Sequence, residues 1–250
     1  MPPASWWWNR RRDRTQAMTD DAELAGLDPF DLLDREAARI EDHLAVLPEA
    51  EWSRQSRCAL WSVRDVLAHL TDAENYHRAC LDGRVSEFIA EMEAQGGHDI
   101  ASANAVAIAA LAGRTPQDLL SEWSDSNAET RRRFRERGDG RIDTSVGDYP
   151  CRWQAFHVAG ELAIHADDMF VPVSSAESAE RLAWRARFSR FALAEDKPRV
   201  TIVVEEGRTR VRGDGIEVVV DDNEFVEGVA GRLTETALDP AAVALLNTMP

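Results

Sequence analysis

One apolar helix carrying two ligand-type side chains constrains this chain more than any other feature. From Phe156 to Phe170 it reads Phe-His-Val-Ala-Gly-Glu-Leu-Ala-Ile-His-Ala-Asp-Asp-Met-Phe. His157, Glu161 and His165 recur at i, i+4 and so fall on one stripe of a helix. The residues around them are apolar on nearly every face, the pattern of a buried helix. An unpartnered buried carboxylate costs roughly several kcal/mol, and a metal ion is one of the few partners that removes that cost. The segment therefore predicts a divalent-metal site inside a helical bundle. The competing reading is a buried Glu161–His165 hydrogen bond that satisfies both side chains.

A catalytic site needs a third ligand. His69 lies beside the apolar stripe of Val66, Leu70 and Ala73, and His77 and His157 compete for the role. Two imidazoles and one carboxylate from separate helices would leave positions open on the metal, as catalytic zinc sites do. Asp168, one turn beyond His165, would either orient a ligand or stand as a solvated charge. The Glu-x-x-x-His spacing differs from His-Glu-x-x-His, so no general base sits next to a ligand. Cys58, Cys80 and Cys151 form no CxxC pair and have no histidine nearby in sequence. They read as small core residues in a reducing, cytoplasmic compartment.

Helix signals organise the first 170 residues. Asp28-Pro29 caps a helix whose Leu33, Ala37, Ile40 and Leu44 share a face. Ser62 and Asp65 form a capping-box variant opening a helix that Gly83 closes. Ser86 to Gln95 predicts a short helix, Ile100 to Leu111 a loop with a helical turn, and Thr115-Pro116 a cap for a helix reaching Gly138. The metal-candidate helix spans about Trp153 to Phe170, and Pro172 to Ser178 reads as a hinge. A helix over Ala179 to Leu193 then precedes Val200–Val204, Arg208–Arg212 and Ile216–Val220, an antiparallel meander turned at Glu206-Gly207 and Gly213-Asp214-Gly215. Helices near Glu224–Arg232 and Pro240–Asn247 follow. The predicted class is α+β: a tail over 1–24, disordered or preceding a true start at Met18, a four-helix bundle over 25–172, and a small α+β domain over 179–250.

Composition excludes several partners. The net charge of -16 argues against nucleic acid and anionic membrane surfaces. No apolar run approaches the ~20 residues that cross a bilayer. The Arg10–Arg12 cluster follows the short Trp6–Trp8 patch, the reverse of a signal peptide. No phosphate-binding glycine loop and no Gly-x-Ser-x-Gly elbow appears.

Trp61-Ser62-Val63-Arg64-Asp65-Val66-Leu67-Ala68-His69-Leu70, together with the Glu161–Asp168 run, resembles the mycothiol-dependent maleylpyruvate isomerase family of actinobacteria, part of the DinB-like metal-binding superfamily. The similarity covers most of residues 25 to 250. It implies a DinB-like four-helix bundle followed by a small sterol-carrier-like domain. By motif match it puts the ligands of a divalent metal, zinc in the isomerase, on His69, Glu161 and His165. It further implies mycothiol as a thiol cosubstrate whose pKa the metal lowers. In the isomerase the thiolate adds to the double bond of maleylpyruvate, and bond rotation and elimination give fumarylpyruvate. An arginine of the second domain holds the dicarboxylate, and Arg232 in Val229-Ala230-Gly231-Arg232-Leu233 best matches it.

The leading expectation is a metal-dependent, mycothiol-using enzyme, either an isomerase or a thiol S-transferase on small electrophiles. The alternative is a metal-stabilised, non-catalytic binding protein whose C-terminal domain takes an apolar ligand or a partner.

Overall fold

The computed structural model describes residues 20–233 and 238–249. The tail expected over 1–24 therefore lies, up to residue 19, outside the described residues. The described chain divides into two compact units, one of residues 28–172 and one of residues 20–27 with 173 onward.

The first unit is a helical bundle. Its helices are α1 (Pro29–Ala45), α2 (Val63–Asp82), α3 (Val85–Ala94), α4 (Ile100–Ala110), α5 (Pro116–Arg137) and α6 (Cys151–Asp168). Each of the long starts has a local cause. Asp28 accepts from the Phe30 amide with Pro29 in the first turn of α1. Ser62 and Asp65 exchange side-chain and backbone hydrogen bonds at the head of α2. Thr115 does the corresponding work for α5, with Pro116 behind it. Gly83 ends α2 at φ 69°, a left-handed cap that suits glycine. Around the bundle α6 packs on α1, α1 on α5, and α5 on α2. Leu33, Ile40, Leu67, Trp123, Phe134 and Phe156 fill the middle, each 2 % exposed or less.

Two elements differ from expectation. Residues 100–110 form a full helix, α4, where a loop with a turn was expected. Asp99 and Ser102 cap it reciprocally, and alanine supplies helix propensity without an amphipathic pattern. Between α5 and α6 a hairpin appears where the sequence reading assigned no element. Strands β1 (Arg141–Thr144) and β2 (Gly147–Pro150) pair antiparallel, with Ile142 opposite Tyr149. Both side chains are buried, and Gly147 takes φ 102° where the chain reverses. Helix α6 begins directly behind β2.

The second unit carries α7 (Ser175–Asp196), strands β3 (Thr201–Glu205), β4 (Arg208–Gly213) and β5 (Ile216–Val220), then α8 (Asp222–Val229) and α9 (Pro240–Leu246). Its sheet is an antiparallel meander in the order β3-β4-β5. Val211, Val218 and Val220 on one face pack with Phe225 and Val229 of α8, Leu245 and Leu246 of α9, and Leu193 of α7. Lys197, the only lysine of the chain, donates to the carbonyls of Ala244, Leu245 and Asn247 at the end of α9. A cation there also complements the helix dipole. Residues 20–27, read from the sequence as tail and bundle start, cluster here: Leu24 is buried and Arg187 donates to the Ala25 carbonyl. Helix α7 starts at Ser175, inside the stretch read as a hinge. The chain is thus a helical bundle followed by a small α+β unit. No described helix is long and apolar enough to cross a membrane.

Candidate metal centre

Helices α2 and α6 bring three ligand-type side chains together within the bundle. His69 comes from α2, and Glu161 and His165 from successive turns of α6. One donor atom from each lies within 4.8 Å of the other two. His69 Nε2 is 3.3 Å from Glu161 Oε1, and the His69 and His165 rings meet edge to face at 4.9 Å. The i, i+4 spacing on α6 sets two of the three, and the packing of the bundle supplies the third.

The protonation states suit cation binding. Burial acts to raise the Glu161 carboxyl, but the His69 hydrogen bond and the charges of His69 and His77 outweigh it and hold the group at about 2. Glu161 is therefore a carboxylate at neutral pH. Burial also pushes the His165 imidazole below its ordinary value, more than the Asp168 contact pulls it back. His165 is neutral, the form in which imidazole ligates a metal. Two imidazole nitrogens and one carboxylate oxygen are a donor set of the zinc type, so the residues present fit a divalent metal. The Glu161 side chain is 31 % exposed while that of His165 is 7 % exposed. The centre is the more enclosed on its His165 side and the less enclosed on its Glu161 side.

Asp168 orients His165 from behind. Its side chain is fully buried, and Oδ2 lies 3.0 Å from His165 Nδ1. A carboxylate only accepts, so the ring proton sits on Nδ1 and leaves the Nε2 lone pair free. The reading of Asp168 as a solvated charge is thus excluded by its burial.

Cys58, read from the sequence as a small core residue outside any histidine motif, is buried, and the fold also sets it beside His165. Its thiol donates to the same Asp168 oxygen at 3.0 Å and stands 4.0 Å from His165 Nδ1. Cys58, His165 and Asp168 make a second, wholly buried donor group. The loop that carries Cys58 is pinned by Gln55 Nε2 on the Cys58 and Trp61 carbonyls. It is also tied to α6 by the Arg57 amide on the Asp168 carbonyl. No spacing in the sequence announces this approach, because a loop makes it. The same loop sets the Trp61 ring 5.2 Å from His69.

The other candidates separate. His157 pairs with the Tyr149 hydroxyl at 3.1 Å. His77 faces Glu161 Oε2 at 3.8 Å. Arg232 belongs to the second unit, where its guanidinium donates to the Ala230 carbonyl at 3.2 Å.

The family model of the mycothiol maleylpyruvate isomerase N-terminal domain matches residues 33–170, a span that holds all three converging side chains. The chain belongs to this family. Two solved structures are similar to it, the mycothiol-dependent maleylpyruvate isomerase and a histidine-to-alanine mutant of that enzyme. Each is 16 % identical, with 82 % of this chain and 88 % of that chain covered, at TM-scores of 0.54 and 0.55. At that identity the likeness is one of fold, and it extends past the family's N-terminal domain into the second unit. No curated protein matches the chain.

Proposed function

We propose that the chain is a cytoplasmic, metal-dependent enzyme that uses mycothiol as its thiol cosubstrate. It works either as a maleylpyruvate isomerase-like enzyme or as an S-transferase on small electrophiles. The observation that carries this reading is the convergence of His69, Glu161 and His165 inside the segment matched by the family. These three residues hold the divalent ion, zinc by donor type. When bound, the ion supplies a Lewis acid that draws a thiol's pKa down into the range where the thiolate prevails. Asp168 keeps the His165 proton on Nδ1, so the ligating nitrogen stays bare. The Trp61 ring beside His69 gives an incoming thiol an apolar wall. The partly exposed Glu161 side is the route by which it enters.

Arg232 is the residue we assign to the substrate carboxylate. A guanidinium recognises a carboxylate through two parallel hydrogen bonds. Its replacement by Ala is expected to raise KM for a dicarboxylate electrophile about tenfold or more, the loss of one charge-assisted contact. A KM equal to the wild type would remove the assignment.

Calorimetric titration of mycothiol into metal-free and zinc-loaded protein tests the reading as a whole. Binding is expected in the loaded form alone. Equal weak heats in both forms would exclude the thiol-cosubstrate mechanism. Turnover of maleylpyruvate by the loaded protein, set against conjugation of mycothiol to a small electrophile, separates the two reactions.

A further inference from the structure

Behind the three converging side chains, α2 and α5 enclose a line of polar groups that the reading above does not use. His77, two turns beyond His69 on α2, is 4 % exposed. Its Nε2 lies 3.8 Å from Glu161 Oε2, while Glu161 Oε1 faces His69. The two oxygens of one carboxylate are thus turned to two different imidazoles. Glu74, at i-3 from His77 and 2 % exposed, accepts on Oε1 from Asn127 of α5 at 2.8 Å. Asn127 accepts from Arg131 at 2.8 Å, and Arg131 pairs with Asp34 of α1. One polar chain thus runs from Asp34 to Glu74, and His77 faces Glu161 one turn further along α2.

The middle of the chain is tight and incompletely paired. Glu74 Oε2, His77 Nδ1 and Thr130 Oγ1 are buried with no hydrogen-bond partner. Glu74 meets Asn127, and the His77 ring lies 6.2 Å from that of Phe134. Thr130 stands between Asn127 and Phe134 on the same face of α5. Buried polar atoms are nearly always satisfied, so three without a partner on facing sides of α2 and α5 mark a polar region behind the His77 ring.

We propose that His77 is a positioning residue for Glu161. Its Nε2 faces Oε2 at ion-pair distance, 3.8 Å, so the carboxylate turns Oε1 to His69 and keeps its other oxygen on the far side. Glu74, three residues before His77 on α2 and anchored through Asn127 and Arg131, backs the turn that carries the ring. This inference rests on the metal-centre reading, and the test separates the two.

The zinc affinity of the full chain is measured by competition with a chromophoric chelator, and the unfolding of each metal-free variant is followed in parallel. His77→Leu is expected to weaken binding roughly ten- to a hundredfold, the usual cost of removing an outer-shell partner of a metal ligand. His77→Gln keeps an amide N–H of similar reach and is expected to stay within about threefold of the wild type. Glu74→Gln, isosteric and one turn before His77 on α2, is expected to weaken binding severalfold, and it decides the matter where the His77 variants do not fold. Wild-type affinity in a folded His77→Leu or in Glu74→Gln overturns the inference. So does a Gln variant no better than Leu, which would reduce His77 to packing. A wild-type chain without zinc affinity overturns the metal-centre reading itself, and this inference with it.

Discussion

At the scale of single residues, the balance at His165 sets how the protein responds to acid. Desolvation disfavours the imidazolium, and the Asp168 contact only partly restores it, so the folded pKa lies below the ordinary 6.5. The unfolded chain therefore takes up a proton below pH 6.5 that the folded chain refuses. Stability rises with pH wherever the unfolded state binds more protons. The contribution of His165 is thus whole above about pH 6.5 and falls as the pH drops through that value. Glu161 works in a lower window. Its folded pKa is held at about 2, so its stabilisation is complete above the ordinary carboxylate range and fades as the pH falls towards 2. The urea midpoint of the metal-free protein is expected to decline between pH 7 and pH 5, and His165→Gln to flatten that decline. An equal slope in the variant would show that other groups set it. Glu161 and His165 were legible because i, i+4 spacing on an apolar helix is a local property. His69 was legible as a candidate by its place beside a stripe. Cys58 was not, since its approach to Asp168 depends on where a loop lands.

At the scale of elements, the head of α2 does more than start a helix. Ser62 and Asp65 satisfy both ends of a capping box, and this fixes the first turn of the helix that carries His69 and His77. One residue before Asp65, Arg64 donates to the carbonyls of Leu111 and Arg114 at 2.6 and 2.9 Å. The start of α2 thereby closes the end of α4. Ser62→Ala is expected to lower stability by about 1 kcal/mol, read from urea denaturation of the metal-free protein; a change near zero would show that Asp65 suffices alone. Capped helices with a buried stripe were readable in advance, and so were the three strands of the β-branched meander. Helix α4 was not, because its apolar residues surround the helix and only Ala107 is buried. The β1–β2 hairpin was not, because its strands are four residues long and carry Arg141, Asp143 and Asp148, leaving little alternation to detect.

At the scale of the whole molecule, the order of the two units and the class of each were readable from the break at Pro172–Ser178 and the change to strand period from Val200. The assignment of residues 20–27 to the second unit was not, because chain segments distant in sequence join through tertiary contacts that no local pattern records. The same distance governs when a metal is captured. His69 lies on α2 and its two companions on α6, with α3, α4, α5 and a hairpin between them in the chain. Such a site exists only once those helices have docked, after the long loop between them has closed. A ligand that grips the finished structure and not its transition state slows unfolding and leaves the folding rate alone. Zinc is therefore expected to lower the unfolding arm of a chevron plot and leave the refolding arm in place. A faster refolding arm would mean that α2 and α6 already meet at the barrier. An ion held at these residues would act as a latch fastened from outside after folding is over, and the protein's lifetime would then depend on metal supply.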